Sequence, residues 1–396
     1  MHPKLLSALA LFLLSFVAHV RALSPIFFEC QKQKPAGLSP LLGCPEGTVF
    51  VSQTEPKAHF RTIQSAVESL REGPAIILVG EGSYEEVVNI SRTDPLTMLG
   101  QLPRHATLSH KPFANPQSAN MNLVQIWFTN WVMTGEDDDT SAVLTVAPNN
   151  AAALIGAGTD GAPLQPVFGN VDFKMYNIDV QNRAANYAIS QALATDISYS
   201  NASFYACAFA SYQDTWYTGK NASTFMIDSV VFGQTDYLFG FGTAWFQNTI
   251  FANRACGGGL VAWKGFNQTY APGNRYGAYI SESTIMRSPD ANATTVTDGK
   301  CFLGRPWNDL AITVFLSTFM DDSINPAGFE PFDSARPVIM NTTYYAEFKS
   351  SGPGGNTSER VAIEHLLTAA DVVAEDFTVD GVFLEHPKWI DYSYIL

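Results

Sequence analysis

The sequence predicts an all-β chain wound as a parallel β-helix, and three observations carry that prediction. Short alternating segments dominate the middle of the chain: FYACAF (Phe204 to Phe209), FMIDSVVFG (Phe225 to Gly233) and AWFQNTIF (Ala244 to Phe251). Aligning Cys207, Ser229 and Thr249 spaces them by 22 and 20 residues, and strands at that period with no helix between them suit stacked coils. An antiparallel sandwich would want hairpin turns about every 8–12 residues instead. Finally, the one clear amphipathic helix, Phe60 to Leu70 (FRTIQSAVESL), precedes the strands, with Ile63, Ala66, Val67 and Leu70 at helical spacing. A helix there would cap one end of an elongated β structure.

In chain order, residues 1–22 read as a secretory signal. Lys4 gives a positive start, Leu5 to Val17 an apolar run, and Val20 and Ala22 the small residues before cleavage. The run is shorter than the roughly 20 residues a bilayer span needs, so the mature chain is expected to be soluble, secreted and free of the membrane. Residues 23–50 read as an irregular extension and 51–396 as one β-helix domain. Sequons at Asn89, Asn201, Asn221, Asn267, Asn292, Asn341 and Asn356 agree with export.

Of five cysteines, Cys30 and Cys44 flank a Pro/Gly-rich stretch and suit a local disulfide. Cys256 with Cys301 is a second option, and Cys207, in an alternating run, reads as a buried small hydrophobe. Glu136–Asp139 reads as a solvated acidic turn. Residues 149–169, rich in Ala, Gly and Pro, are expected to project from the stack, and a last helical segment is expected around 364–373.

Composition excludes some functions. With 23 Lys+Arg against 37 Asp+Glu and a net charge of −14, the basic surplus of a nucleic-acid binder is missing. Hydrophobic residues make up 46%, enough for a large core. No histidine lies between residues 111 and 364, and neither GxSxG nor HExxH occurs, so a Ser-His-Asp triad or zinc site built in the repeats is not available.

The repeats do carry acids and amides at coil spacing. Gln191 lies in QALA, Gln213 and Asp214 in YQDTWY, and Asp236 in DYLFG; Gln191 to Gln213 and Asp214 to Asp236 are each 22 residues apart. One coil apart, such side chains lie within a few ångströms of each other. Two carboxylates in a partly apolar groove cannot both ionise easily. The ionised one can attack a carbonyl carbon, the protonated one can give its proton to a leaving alkoxide, and the glutamine amides can face the developing oxyanion. Arg305, in LGRPW, could keep the nucleophile ionised. The plainer alternative is an inward Asn/Gln ladder with the acids satisfied by turn amides.

These motifs resemble the pectin methylesterases, and a secreted, fungal-like member of them. FRTIQSAVESL is similar to the family's N-terminal helix and GSYEEVVNI (Gly82 to Ile90) to its GxYxExxxI strand. QALA, YQDTWY, DYLFG and LGRPW are similar to its catalytic-region motifs, in order, and AEFKSSGPGGN to a late segment. The resemblance implies a single-stranded right-handed parallel β-helix, with the site in a long surface cleft. It implies Asp236 as nucleophile, Asp214 as acid then base, Gln213 and Gln191 as oxyanion donors, and Arg305 as the partner of Asp236. Trp307 would line a sugar subsite, with Tyr217, Trp216 and Phe239 beside it. The substrate implied is pectin (homogalacturonan), acted on by a monomer with no metal and no cofactor.

Trp216 stands where the family usually has leucine, which is expected to reshape a cleft wall. LVAWKG (Leu260 to Gly265) replaces a polar segment, and the 149–169 insert could lengthen another wall. Two other readings stay open: a polygalacturonase or lyase on the same fold, and an inactive polysaccharide-binding scaffold. Against the first, no histidine here sits between glycines. Against the second, Asp214, Asp236 and Arg305 are all present.

Overall fold

The structure, a computed structural model, describes residues 25–107, 117–266 and 274–395; the leader read at 1–22 and the sequon at Asn267 lie outside the described residues. Among the described residues the strands form three all-parallel sheets of eleven, eight and seven strands, called sheets 1, 2 and 3 below. One coil runs Asn201–Tyr205 in sheet 1, Ala208–Ala210 in sheet 2 and Trp216–Thr218 in sheet 3, then Ser223–Ile227 returns to sheet 1. This is the parallel β-helix that the repeat predicts.

The corner between sheets 1 and 2 explains the repeat. Asn177, Ala206, Asp228 and Asn248 hold φ of 54°, 51°, 51° and 47° there, a left-handed conformation that turns the chain sharply and that Asn and Asp tolerate best. Cys207, Ser229 and Thr249 each follow such a corner residue. The buried amides at that position are satisfied across coils: Cys207 N donates to Ser229 Oγ at 3.0 Å and Thr249 N to Ser283 Oγ at 3.1 Å. FYACAF, FMIDSVVFG and AWFQNTIF, each expected as one strand, are therefore two strands apiece, split at the corner. Phe204 faces Met226 and Met226 faces Phe246 in register, giving the short coils. Phe246 faces Ile280 and Ile280 faces Phe315 across longer coils that carry loops.

Inward side chains such as Phe173, Phe204, Phe209, Trp216, Phe246 and Phe251 fill the interior. The helix expected over 60–70 forms at Ile63–Glu68 and buries Ile63, Ala66 and Val67 on this core. Thr62 caps it by accepting from the Ser65 amide, and Glu86 accepts from the amides of Ile63 and Gln64 at 2.8 and 2.9 Å.

Within residues 23–50, Pro25–Gln31 is a helix that buries Phe28 and Cys30 against the outer face of sheet 1. Cys30–Cys44 and Cys256–Cys301 are disulfides, and Cys207 is free and buried. The late helix lies at Ala369–Ala374, opened by a capping box between Thr368 and Asp371.

Two expectations are corrected. Glu136–Asp139 is not simply a solvated turn, because Asp137 accepts from the amides of Ile155 and Gly156, both at 2.8 Å. That bond pair pins the 149–169 segment onto the stack instead of letting it project, and Ala152, Ala153, Ile155 and Ala162 are buried.

Candidate active site

The outer face of sheet 3 carries one row of side chains from successive coils. Asp196 lies opposite Tyr217, Tyr217 opposite Phe239, Phe239 opposite Ala262, and Ala262 opposite Arg305. Asp214 and Asp236 stand two residues before Trp216 and Leu238, which pair in register, so the two acids stack on neighbouring coils. Both are left-handed, with φ of 59° and 47°. Their amides donate to Thr235 O at 3.0 Å and Gly259 O at 2.7 Å, which over-determines a backbone conformation that non-glycine residues otherwise avoid.

Arg305 grips Asp236 through Nε, which donates to Oδ1 at 2.9 Å and to Oδ2 at 3.2 Å, and through Nη2, which donates to Oδ2 at 2.6 Å, a fork geometry that fixes the carboxylate plane. The Gly259 amide also donates to Oδ1 at 3.2 Å, and Arg305 Nη1 donates to Phe332 O at 2.6 Å. Gly258 makes this packing possible: at φ +64°, a Cβ there would stand 2.9 Å from both Arg305 Cζ and Asp236 Oδ1.

Asp214 has the opposite environment. It is buried, and its Oδ1 has no hydrogen-bond partner among the described residues. Burial first, then the neighbouring charges of Asp236 and Asp138, push its carboxyl well above the usual range, against a smaller pull from Arg305. The two stacked acids are thus split: one is held by an arginine fork, and the other is buried where its protonated form is favoured.

Gln191 and Gln213 sit on adjacent coils, with the Ala192 amide donating to Gln213 O at 3.2 Å. Together with Asp214, Asp236, Arg305, Phe239 and Trp307 they line one cleft of about 500 Å³. All five polar residues singled out in the sequence therefore converge, as do two of the four aromatics.

The other two do not reach the cleft. Trp216 points inward, edge-on to Phe204 and Phe209 at 4.9 and 4.7 Å, with Nε1 donating to Thr218 Oγ1 at 2.9 Å. Alternation along Trp216–Thr218 sends Tyr217 outward and Trp216 into the core, so the expected reshaping of a cleft wall is withdrawn. Tyr217 is also buried, packed beneath Phe239 at 4.7 Å, so it supports that ring rather than lining the site.

Asp138 and Phe332 line the cleft as well and are not site residues the sequence singles out, whereas the 156–158 loop belongs to the insert expected to lengthen a wall and Ala262 to LVAWKG. Asp138 is raised to about 6, chiefly by burial and then by Asp137, with Lys264 opposing. These residues sit mostly in loops between coils, where no repeat marks them.

A family model described as Pectinesterase matches residues 123–386. A probable pectinesterase/pectinesterase inhibitor 46 of Arabidopsis thaliana is 28% identical over 361 residues, 87% of this chain and 53% of its own length. Pectinesterase 2 of Citrus sinensis is 31% identical over 248 residues, 59% of this chain and 45% of its own. The chain spans about half or less of the length of these plant relatives. Among solved structures, the pectin methylesterase from Aspergillus niger superposes with a TM-score of 0.67 at 25% identity, covering 89% of this chain and 98% of that one. The pectin methylesterase from carrot shares the fold at 24% identity with a TM-score of 0.64, covering 85% and 92%.

Proposed function

The chain belongs to the pectinesterase family, and from that premise we propose that it is a secreted, monomeric carboxylic ester hydrolase that removes methyl groups from pectin. The observation that carries this reading is the pairing of opposites in one cleft, Asp236 in the Arg305 fork and, beside it, Asp214 buried with its carboxyl pushed well above the usual range.

In the proposed sequence an Asp236 carboxylate oxygen attacks the carbonyl carbon of the methyl ester, and the carbonyl oxygen becomes an oxyanion facing the Gln213 and Gln191 amides. Collapse breaks the bond to the methoxy oxygen as Asp214 gives it a proton, so methanol leaves and an acyl-aspartyl anhydride remains. Asp214, now ionised, takes a proton from water, whose oxygen attacks the galacturonyl carbon. The second collapse frees Asp236 and a galacturonic acid unit, and Asp214 again holds its proton. Phe239 and Trp307 offer ring faces to the sugars. No step calls for a metal or cofactor.

Export is supported by the two disulfides and by the sequons at Asn89, Asn292, Asn341 and Asn356, which are all exposed. Among the described residues no helix is long and apolar enough to cross a membrane.

The test is methanol and acid release from highly methylated pectin, with polymer length followed in parallel. Methanol from the wild type at constant length, and none from Asp236→Ala, is the expected result. Shortening of the polymer without methanol would replace this reading with a chain-cleaving one.

A further inference from the structure

The inward row of sheet 1 runs Phe204, Met226, Phe246, Ile280 and Phe315, and the next place in register is an acid, Glu347. Glu347 is 2% exposed, a position where an isolated charge is costly. Arg360 meets it there, with Nε donating to Glu347 Oε1 at 2.6 Å and Nη2 to Oε2 at 3.4 Å. Glu364 Oε2 stands 3.7 Å from the same Nε, and the side chains of Arg360 and Glu364 are as deeply buried as Glu347. One guanidinium thus faces two acids. Burial first, then Glu347 beside it, pushes the Glu364 carboxyl up to about 10, against a smaller pull from Arg360. Glu347 moves the other way, its burial outweighed by Glu364 and Arg360. The trio is electrically balanced when Glu364 is neutral.

An apolar side chain would serve packing here, since replacing buried ion pairs by apolar residues is often neutral or stabilising. What the trio adds is a hold on other segments. Arg360 Nη1 donates to Pro326 O at 3.1 Å and Nη2 to Gly354 O at 2.7 Å, and the Val361 amide donates to Ala327 O at 3.0 Å. Gly328, at φ +73°, lies against the arginine stem, where a Cβ would stand 2.5 Å from Arg360 Cδ. Phe329 stacks on Tyr345 with ring centres 3.9 Å apart. The segment fixed in this way runs beside Phe302–Pro306, the strand that carries Arg305. The Leu303 amide donates to Gly328 O at 2.6 Å, and the Glu330 amide donates to Gly304 O at 3.1 Å. Two residues further on, Phe332 O accepts from Arg305 Nη1 at 2.6 Å, the guanidinium nitrogen that does not bond Asp236.

We propose that Arg360, Glu347 and Glu364 are positioning residues: they form a buried clasp that fixes residues 326–332 and, through the Phe332 carbonyl, the angle at which Arg305 presents its fork to Asp236. The clasp bears on catalysis through the reading of Asp236 as nucleophile. None of the three lines the cleft, so each acts through Arg305. An arginine stands at the centre because its planar fork reaches Glu347, Pro326 O and Gly354 O at once.

The test is a double-mutant cycle on methanol release, with kcat expressed per folded molecule. Arg360→Lys keeps the charge and loses the fork, and it lowers kcat about tenfold with KM within about twofold, since the cleft rings are untouched. In an Arg305→Lys background the same change lowers kcat no further, because the group it acts through is already altered. Glu364→Gln, which keeps a neutral side chain of the same shape, holds kcat within about twofold of the wild type. If Arg360→Lys does not fold, Glu347→Gln takes its place in the cycle with the same expectations. An equal loss in both backgrounds assigns the trio to folding alone and overturns the proposal, as does wild-type kcat in the single variant. A second readout needs no turnover: the Arg305 Nε–H resonance, assigned by its loss in Arg305→Lys, shifts in the clasp variant. If the wild type releases no methanol while that resonance shifts, the esterase reading falls and the clasp stands. An unmoved resonance ends the clasp whatever the activity.

Discussion

On the outer face of sheet 1, Phe225, Trp245, Tyr279 and Val314 stand opposite one another coil after coil. On the outer face of sheet 3 the corresponding row is Asp196, Tyr217, Phe239, Ala262 and Arg305. The first row is covered by the C-terminal segment through Phe377, Val382, Trp389, Ile390 and Tyr394. That cover is fixed by Tyr176 Oη donating to Asp391 Oδ2 at 2.8 Å and the Asp391 amide donating to Tyr205 Oη at 2.5 Å. The second row is walled by loops but left open as the cleft. The winding is the same in both. What differs is whether the outward side chains gain more from exclusion of water, about 1.5–3 kcal/mol for a large apolar side chain, or are held with costs of their own, as the buried Asp214 is. Sheet 1 stabilises the molecule, and sheet 3 carries the strained, charged groups that the proposed chemistry uses.

The largest expected effect lies on the stabilising side. Trp389→Ala, which removes a buried ring 5.0 Å from Phe383, should lower stability by about 3–5 kcal/mol while activity per folded molecule holds. Chemical denaturation with active-site titration checks both. A comparable loss of activity per folded molecule would break the division between the two faces. On the catalytic side, Gln213→Ala should reduce kcat by about 10²–10³, the usual loss of one oxyanion donor, with the melting temperature little changed.

A smaller, pH-gated effect is expected at Asp196, whose Oδ2 has no hydrogen-bond partner among the described residues. Burial raises its carboxyl well above the usual range, with Asp139 and Asp137 adding to the shift and Ser198 opposing. Such a group costs nothing below the unfolded value of about 3.9. It destabilises increasingly as pH rises above that value, because the folded state holds the proton longer. Asp196→Asn should therefore raise the melting temperature near pH 7 and leave it unchanged near pH 3. An equal gain at both pH values would place the effect in packing instead. The smallest effect is Thr62→Ala, which removes the helix cap and should cost about 1 kcal/mol without touching activity.

Much of this was legible because the central coils are minimal. Between Phe204 and Phe251 no loop intrudes, so the corner repeats at 22 and 20 residues and shows through in Cys207, Ser229 and Thr249. The same regularity made Gln191, Gln213, Asp214 and Asp236 readable as neighbours. The resemblance puts both Trp216 and its neighbour Tyr217 beside the cleft, but within the strand Trp216–Thr218 alternation can send only one of them outward, and motif similarity does not carry that facing. Asp138 and Phe332 lie outside the periodic strands. Their positions depend on how each loop folds back, as when Asp137 binds the amides of Ile155 and Gly156, and such contacts leave no spacing to read.

The central claim is that Asp214 works as the proton-donating acid beside Asp236 in its arginine fork. The most direct measurement is the pH dependence of kcat/KM for methanol release, taken for the wild type and for Asp138→Asn. The expected profile loses activity as pH rises through an apparent pKa well above the ordinary carboxylate range. In the variant that alkaline limb moves to lower pH, because Asp138 is one of the two charges that hold the Asp214 proton in place. Activity that climbs steadily with pH, or an alkaline limb that stays put in Asp138→Asn, would contradict it.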